Sequence, residues 1–206
     1  MSKIPKIILQ ISKDKPPKYV ETYVQTYFPQ WEYCHLNDNN DAIAYFEANK
    51  LEEFPNAIEK YNSFQHRAHG TEFLRYYFLY INGGVYLDSD AMVHCNINEI
   101  IQSYDGVFIK SNAFPTFTHI FNGFICIPPK HPIIYDALCH IYNFNEHITN
   151  YQIFCQELLN ILLKNNLNNI NIMEEYVINN QGVVTNGKKK ILTHYFTLQF
   201  PPKTHK

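Results

Sequence analysis

Asp88 and Asp90 stand one residue apart near the end of the stretch "INGGVYLDSDAMV", Ile81 to Val93. In a strand, such a spacing points both side chains to one face. Two like charges on one face repel unless something positive sits between them. A divalent cation meets that need, and a solvated turn is the plainer alternative. Such a cation could neutralise the oxygens of a diphosphate as it leaves a nucleotide-sugar. An Asp-x-Asp pair alone is a weak signal. Its place after an apolar helix, a double glycine and a strand makes it a much stronger one.

Glu72 and Arg75 come next, at i and i+3 on one face of that same helix. From Phe73 to Ile81 the helix is otherwise apolar or aromatic nearly all round, so the pair is costly to desolvate and needs a reason to be there. One reason is an ion pair tying helix to sheet. The other is that both side chains reach over the strand ends to sugar hydroxyls or a phosphate, and the neighbouring aspartates favour it.

The elements that must position these residues follow from periodicity. "KIILQI" reads as a short buried strand, Lys18 to Phe28 as an amphipathic helix with Tyr19, Tyr23 and Tyr27 at spacing four, and "WEYCHL" as a second strand. "DAIAYFEANK" is a second helix, with Asp38 to Asp41 offering N-cap side chains. This strand–helix order predicts a parallel α/β sheet. Gly83 and Gly84 end the apolar helix, one of them as a left-handed cap, and "VYL" delivers Asp88 and Asp90 at its carboxyl end. That is where open α/β sheets hold ligands. Beyond lie strand-like "GVFIK" and "FICI", a helix opened by Pro132, a helix from Tyr151 to Leu163, a short strand after "NNLNNINI", and a last strand or loop in "KKKILTHYF".

The 206 residues suffice for one domain with a sizeable core, and 46% hydrophobic against 17% charged content fits a folded, enzyme-like chain. A net charge of −2 gives no reason to bind nucleic acid, and the basic run Lys188–Lys190 reads as a turn after Gly187. Five widely spaced cysteines with no CxxC pair predict reduced thiols and a cytoplasmic protein. No window is long and apolar enough for a membrane span or signal peptide.

"IPKII-Q", "PP-Y", "P-WEY" and "EFLRYYFLYINGGVYLDSD" together resemble the DxD glycosyltransferases of family 32, the mannosyltransferase and capsular-polysaccharide type. More distantly they are similar to the glucosylating domains of the large clostridial toxins. Further on, "FNGFICIPPKHPIIYDAL" resembles a family segment with an Asn before a strand and a His-Pro opening a helix. "ILTHYF" resembles the segment that carries the family's late His. The chain departs from the pattern at Leu9, where the family usually has His, and at Glu72, where it usually has Asp. It departs again at Asn145 to Leu163, where a Gly-Pro segment is expected.

The resemblance implies a GT-A-type, Rossmann-like α/β fold: a mixed, mainly parallel sheet flanked by helices. It implies one domain over 1–206, with a nucleotide-sugar half (1–95) and an acceptor half (96–206). It implies Mn²⁺ or Mg²⁺, a UDP- or GDP-hexose donor, a glycan or other hydroxyl acceptor, and transfer with retention of configuration. By the same resemblance Asp90 is a direct metal ligand, and Asp88 meets the metal, its water shell or the ribose. Glu72 and Arg75 hold the donor sugar. Tyr86 lies near the nucleotide or in the core, and Asn122 near the donor sugar or acceptor, or in a turn before Gly123. His194 completes the metal shell, touches the diphosphate, or is an ordinary surface or core residue. Trp31 reads as core. Two other readings stand beside this one: a transferase fold that binds its ligand without turnover, and a haloacid-dehalogenase-type phosphatase with an aspartyl nucleophile. Met92, where the phosphatase motif wants Thr or Val, argues against the phosphatase.

Overall fold

The computed structural model describes residues 3–37, 39–102, 104–112, 118–144, 150–165, 168–187, 189–196, 200 and 202. Strand β1 (Ile7–Ser12) is buried almost throughout and pairs in parallel with β2 (Glu32–Asn37). Helix α1 (Lys18–Tyr27) connects them and buries Val20, Tyr23 and Val24. Helix α2 (Asn40–Ala48) follows, sealed by Ala42 and Phe46. The expected side-chain cap is not made: Asn39 occupies the cap position without such a bond, and Asp41 instead accepts from the Asn37 backbone N–H at 2.8 Å. Asp38 lies outside the described residues.

A short α3 (Ala57–Ser63) leads to α4 (Arg67–Asn82), whose buried residues run almost unbroken from His69 to Tyr80. Gly83 caps it at φ 64° and Gly84 follows at φ 101°, opening β3 (Gly84–Leu87). The glycines are also required by space. A Cβ on Gly83 would lie 2.5 Å from the Pro129 nitrogen, and one on Gly84 2.4 Å from the Ile7 carbonyl oxygen. The second approach lets β3 settle against β1 with Leu9 opposite Tyr86.

After β3 come β4 (Ala91–Val93), α5 (Ile97–Ile101), β5 (Gly106–Ser111) and β6 (His119–Ile127). Helix α6 (Pro132–Asn143) begins with the expected proline, and α7 (Ile153–Lys164) packs against it and β6. The chain ends its sheet with β7 (Ile170–Ile178), β8 (Gln181–Asn186) and β9 (Lys189–His194). The basic run therefore opens β9 after the turn at Gly187; Lys188 lies outside the described residues.

All nine strands form one mixed sheet in the order β2-β1-β3-β6-β5-β7-β8-β9-β4. Parallel pairing joins β1 to β2, β1 to β3 and β5 to β7, while the other five pairings are antiparallel. The mixed α/β sheet flanked by helices is as expected, but it is not mainly parallel. The alternating strand–helix units stop after β3, and the second half returns mostly by antiparallel pairings that need no crossover helix.

The order also dictates the sheet's shape. Strands β3 and β4 are six places apart, which in a flat sheet would be about 29 Å. The chain between Leu87 and Ala91 spans at most about 14 Å. The sheet must curl until its β4 edge returns toward β3, and Asp88, Ser89 and Asp90 bridge the closure. Alternation then divides the core. Leu9, Tyr86, Phe108 and Ile125 pack under α4, α6 and α7, while Ile8, Val85, Leu87 and Phe124 face the interior of the curl with α1. Trp31 is buried in the second cluster, edge-on to Phe28 at 5.8 Å. Leu9 is wholly buried in the first. All five cysteines are free thiols. Among the described residues no helix is long and apolar enough to cross a membrane.

Candidate functional site

Where the curled sheet closes, a cavity of about 670 Å³ opens, lined among others by Glu72, Arg75, Tyr86, Asp88, Asp90, Asn122 and His194. The structure thus gathers every candidate site residue singled out from the sequence. Asp88 and Asp90 reach it differently from the expected strand face. Strand β3 ends at Leu87, and a turn closed by the Ala91 N–H donating to the Asp88 carbonyl at 3.0 Å carries both carboxylates. The Asp88 N–H also donates to Gly123 O at 2.8 Å, pinning the turn to β6.

Helix α4 supplies the cavity floor. Glu72 and Arg75 are only 6% and 5% exposed. They meet through Asn122 of β6, whose side-chain amide donates to Glu72 Oε1 at 2.8 Å and whose carbonyl accepts from Arg75 Nη1 at 2.6 Å. Arg75 Nη2 donates to the Tyr86 hydroxyl at 3.0 Å and to Asp88 Oδ1 at 3.2 Å, and Tyr86 itself donates to Asp88 Oδ1 at 2.6 Å. Tyr86 is therefore buried and still part of the site: its ring packs in the sheet and its hydroxyl touches the first aspartate. Asn122 lies within β6, not in a turn.

Polar capacity is left over. Glu72 Oε2, Asn122 Oδ1 and Arg75 Nε are buried with no hydrogen-bond partner among the described residues. Groups left so are costly unless a ligand completes them. Burial raises the Glu72 carboxyl to about 7, against the opposing pull of Arg75 and of the bonds from Asn122 and Cys155. A neutral carboxyl can donate to a hydroxyl and an ionised one can accept, so this group can pair with a ligand's hydroxyl in either state.

The second aspartate has different company. Strand β9 pairs with β4 so that His194 lies opposite Ala91, which sets its ring beside Asp90. His194 Nε2 is 3.4 Å from Asp90 Oδ2, and its Nδ1 is 3.4 Å from Glu175 Oε1. Phe121 stacks on the ring at 4.2 Å. Burial opposes charge on this histidine, but the two carboxylates outweigh it and push the ring up to about 9. Burial also raises Asp90, with Asp88 adding to the effect and His194 opposing it.

This donor set fits a hard divalent cation. Among the described residues no group of three or more His, Cys, Asp and Glu is assembled to hold a metal alone. Mg²⁺ and Mn²⁺ need no such cage, because one or two carboxylates and substrate phosphates suffice. Asp90 carries a buried carboxylate disfavoured as it stands, and Asp88 keeps Oδ2 free of the Arg75 and Tyr86 bonds to its Oδ1.

Several residues in or beside the cavity carried no signal in the sequence. Gln10 donates to the Asp88 carbonyl at 3.3 Å, and Cys155 donates to Glu72 Oε1 at 3.4 Å. Ser111, His119 and Glu175 form a buried polar group on neighbouring strands. Single residues scattered through apolar runs carry no spacing signal, and only their cross-strand register unites them.

Among known proteins, residues 15–107 match the family described as a glycosyltransferase sugar-binding region containing a DXD motif. An uncharacterized glycosyltransferase of Acanthamoeba polyphaga mimivirus is 33% identical over 96 residues, covering 46% of this chain and 37% of that protein. Inositol phosphoceramide mannosyltransferase 1 of Schizosaccharomyces pombe is 26% identical over 152 residues, covering 70% of this chain and 45% of that protein. The chain thus spans less than half the length of either relative. The fold is that of a solved transferase structure, PaToxG glycosyltransferase, with a TM-score of 0.53 at 16% identity, over 78% of this chain and 69% of that one.

Proposed function

We propose that this chain is a metal-dependent hexosyltransferase that takes a sugar from a UDP- or GDP-hexose and passes it to a glycan or other hydroxyl acceptor with retention of configuration. The observation that supports it best is the pairing of two half-sites in one cavity. Buried, unfilled polar atoms of Glu72, Asn122 and Arg75 suit a sugar, and the Asp88–Asp90 turn beside them suits a cation with a diphosphate. The domain acts as one unit over 1–206, the donor bound mainly by residues before 95 and the acceptor approached from the later half.

A Mn²⁺ or Mg²⁺ ion bound here supplies charge neutralisation on the departing diphosphate. Asp90 and the free oxygen of Asp88 would hold it, with His194 Nε2 alongside. The chain's own residues do the rest. Arg75 fixes Asp88 and carries positive charge to the site; Glu72 and Asn122 orient the sugar hydroxyls; the buried walls exclude water. The departing phosphate oxygen can accept the proton of the incoming hydroxyl, so retention needs no enzyme nucleophile. Five free thiols support a cytoplasmic setting, and polysaccharide synthesis is the process such an activity would serve.

The test is hydrolysis of a panel of UDP- and GDP-sugars, with and without Mn²⁺, by wild type and Asp90→Ala. The mannosyltransferase named among the relatives puts GDP-mannose on that panel. Metal-dependent release of nucleoside diphosphate from one donor, lost in the variant, is the expected result. The absence of both turnover and a Mn²⁺-dependent thermal shift with every donor on the panel would sink the proposal. An aspartyl-phosphate intermediate would replace it with a phosphatase.

A further inference from the structure

Glu175 is 1% exposed, on strand β7, and lines the same cavity as the Asp88–Asp90 turn from the opposite side. Taking a carboxylate out of water costs several kcal/mol on the order of magnitude for any buried ion, so its partners matter. Ser111, its register partner on β5, donates to Oε2. Oε1 has no hydrogen-bond partner among the described residues, and neither has His194 Nδ1. Those two atoms are 3.4 Å apart, so each is what the other has available.

A second feature shows that room has been made for this approach. Gly182, on β8, is the register partner of His194. A Cβ there would lie 2.0 Å from Glu175 Oε1 and 2.6 Å from its carboxyl carbon. Gly182 has no positive φ that would call for glycine on backbone grounds. Its lack of a side chain is what lets the Glu175 carboxylate pass β8 and reach the histidine.

We propose that Glu175 is a positioning residue: it takes the Nδ1 proton of His194 as a hydrogen bond and so turns Nε2 toward Asp90 and the donor's diphosphate end. The chain of contacts runs Ser111, Glu175, His194, Asp90. Phe121, stacked on the ring, fixes its plane but not the half-turn about Cβ–Cγ that exchanges Nδ1 with Cδ2, and that flip is the freedom for Glu175 to remove. A carboxylate on the far nitrogen fixes both the ring's orientation and which nitrogen is left to meet a ligand. The orientation stands on the geometry alone; its use for a cation rests on the proposed function.

Proton–nitrogen NMR of the full chain labelled at histidine nitrogens tests the orientation without metal or donor. Wild type is expected to show a downfield, slowly exchanging Nδ1–H signal for His194, assigned by its absence in His194→Ala. Glu175→Ala should abolish it. Glu175→Gln, whose amide oxygen can still accept, should keep it at a shifted position. Gly182→Ala, which displaces the carboxylate from the other strand, should weaken or abolish it even if Glu175→Ala folds poorly. An unchanged signal in either alanine variant would overturn the proposal. Mn²⁺ titrations with UDP or GDP present then test its use, with roughly ten- to a hundredfold weaker binding expected in Gly182→Ala. A ring signal that responds while Mn²⁺ affinity does not would keep the orientation and remove only the cation role of His194.

Discussion

The Arg75 guanidinium lies over the Tyr86 ring, 3.9 Å from its centroid, while its Nη2 reaches Asp88 Oδ1 at 3.2 Å. One side chain of a buried helix therefore holds the first aspartate of the turn, through a ring that belongs to the sheet. A planar fork reaches three acceptors from two separate nitrogens, a spread that the single nitrogen of an ammonium does not reproduce. Arg75→Lys is expected to keep the charge and lose most of these bonds, lowering stability by roughly 3 kcal/mol. Urea unfolding measures that loss. Donor hydrolysis should fall by about a hundredfold with it, since each ~1.4 kcal/mol of lost positioning is a factor of ten. A variant as stable and as active as wild type would mean that Asp88 needs no support from α4.

Glu72 gives a prediction with a definite sign. Its carboxyl is raised from 4.5 to about 7 in the folded protein, chiefly by burial. Between those values the unfolded chain has lost the proton and the folded one still binds it. The contribution of this group to stability is thus fully present below pH 4.5 and lost as pH rises through 7. The loss amounts to roughly 3 kcal/mol at pH 8. Glu72→Gln removes the ionisation and keeps an acceptor for Asn122. In urea unfolding without ligand, it should be more stable than wild type by about that amount at pH 8, the difference shrinking to about 1 kcal/mol at pH 5. Its donor hydrolysis should nevertheless be lower, a sign that the carboxylate is kept for binding rather than for folding.

Much of this was legible in the sequence, and the parts that were not share a cause. The apolar run of α4, the double glycine and the aspartate pair are local patterns; the first two led to the elements expected, and the third lies at the cavity. The turn, in place of a strand face, at Asp88 and Asp90 follows from β4, a three-residue strand too short to show periodicity. Strand β8 was invisible for a related reason: "QGVVTN" offers little alternation, and its partner β7 is largely exposed. Missing β4 and β8 hid the curl, and without the curl Glu175 could not be set beside His194. Register between distant strands is a tertiary quantity, and no spacing within one segment encodes it.

Gly84 tests how the site is held up from below. Its φ of 101°, and the 2.4 Å that would separate an added Cβ from Ile7 O, combine backbone strain with a backbone clash. Gly84→Ala is expected to destabilise by roughly 3 kcal/mol or more, the sum of an unfavourable φ and an overpacked contact. Gly187→Ala is the matched control: it has φ 63° and nothing within 4 Å of the added carbon, so it should cost only about 1–2 kcal/mol. Thermal denaturation of the two variants separates the terms. Equal losses would mean that the approach of β3 to β1 relaxes without penalty.

The protein ligands facing the cavity are too few to hold a cation tightly alone, and this yields the last prediction. Among the described residues no three-ligand cluster exists, Asp88 shares one oxygen with Arg75 and Tyr86, and the Nε2 side of His194 faces Asp90. A diphosphate brings the missing oxygens, and the cation in turn cancels the repulsion between diphosphate and aspartates. Each should therefore strengthen the other's binding by the same factor, as linkage requires. Mn²⁺ titration followed by its paramagnetic resonance signal should show weak binding to the free protein and at least about tenfold tighter binding with UDP or GDP present. UDP or GDP binding should tighten equally when Mn²⁺ is added. Asp90→Asn should erase the coupling while leaving the Arg75–Asp88 pair in place. If Mn²⁺ binds the free protein as tightly as the complex, the cation is held by some other set of residues, and the role given to the Asp88–Asp90 turn is wrong.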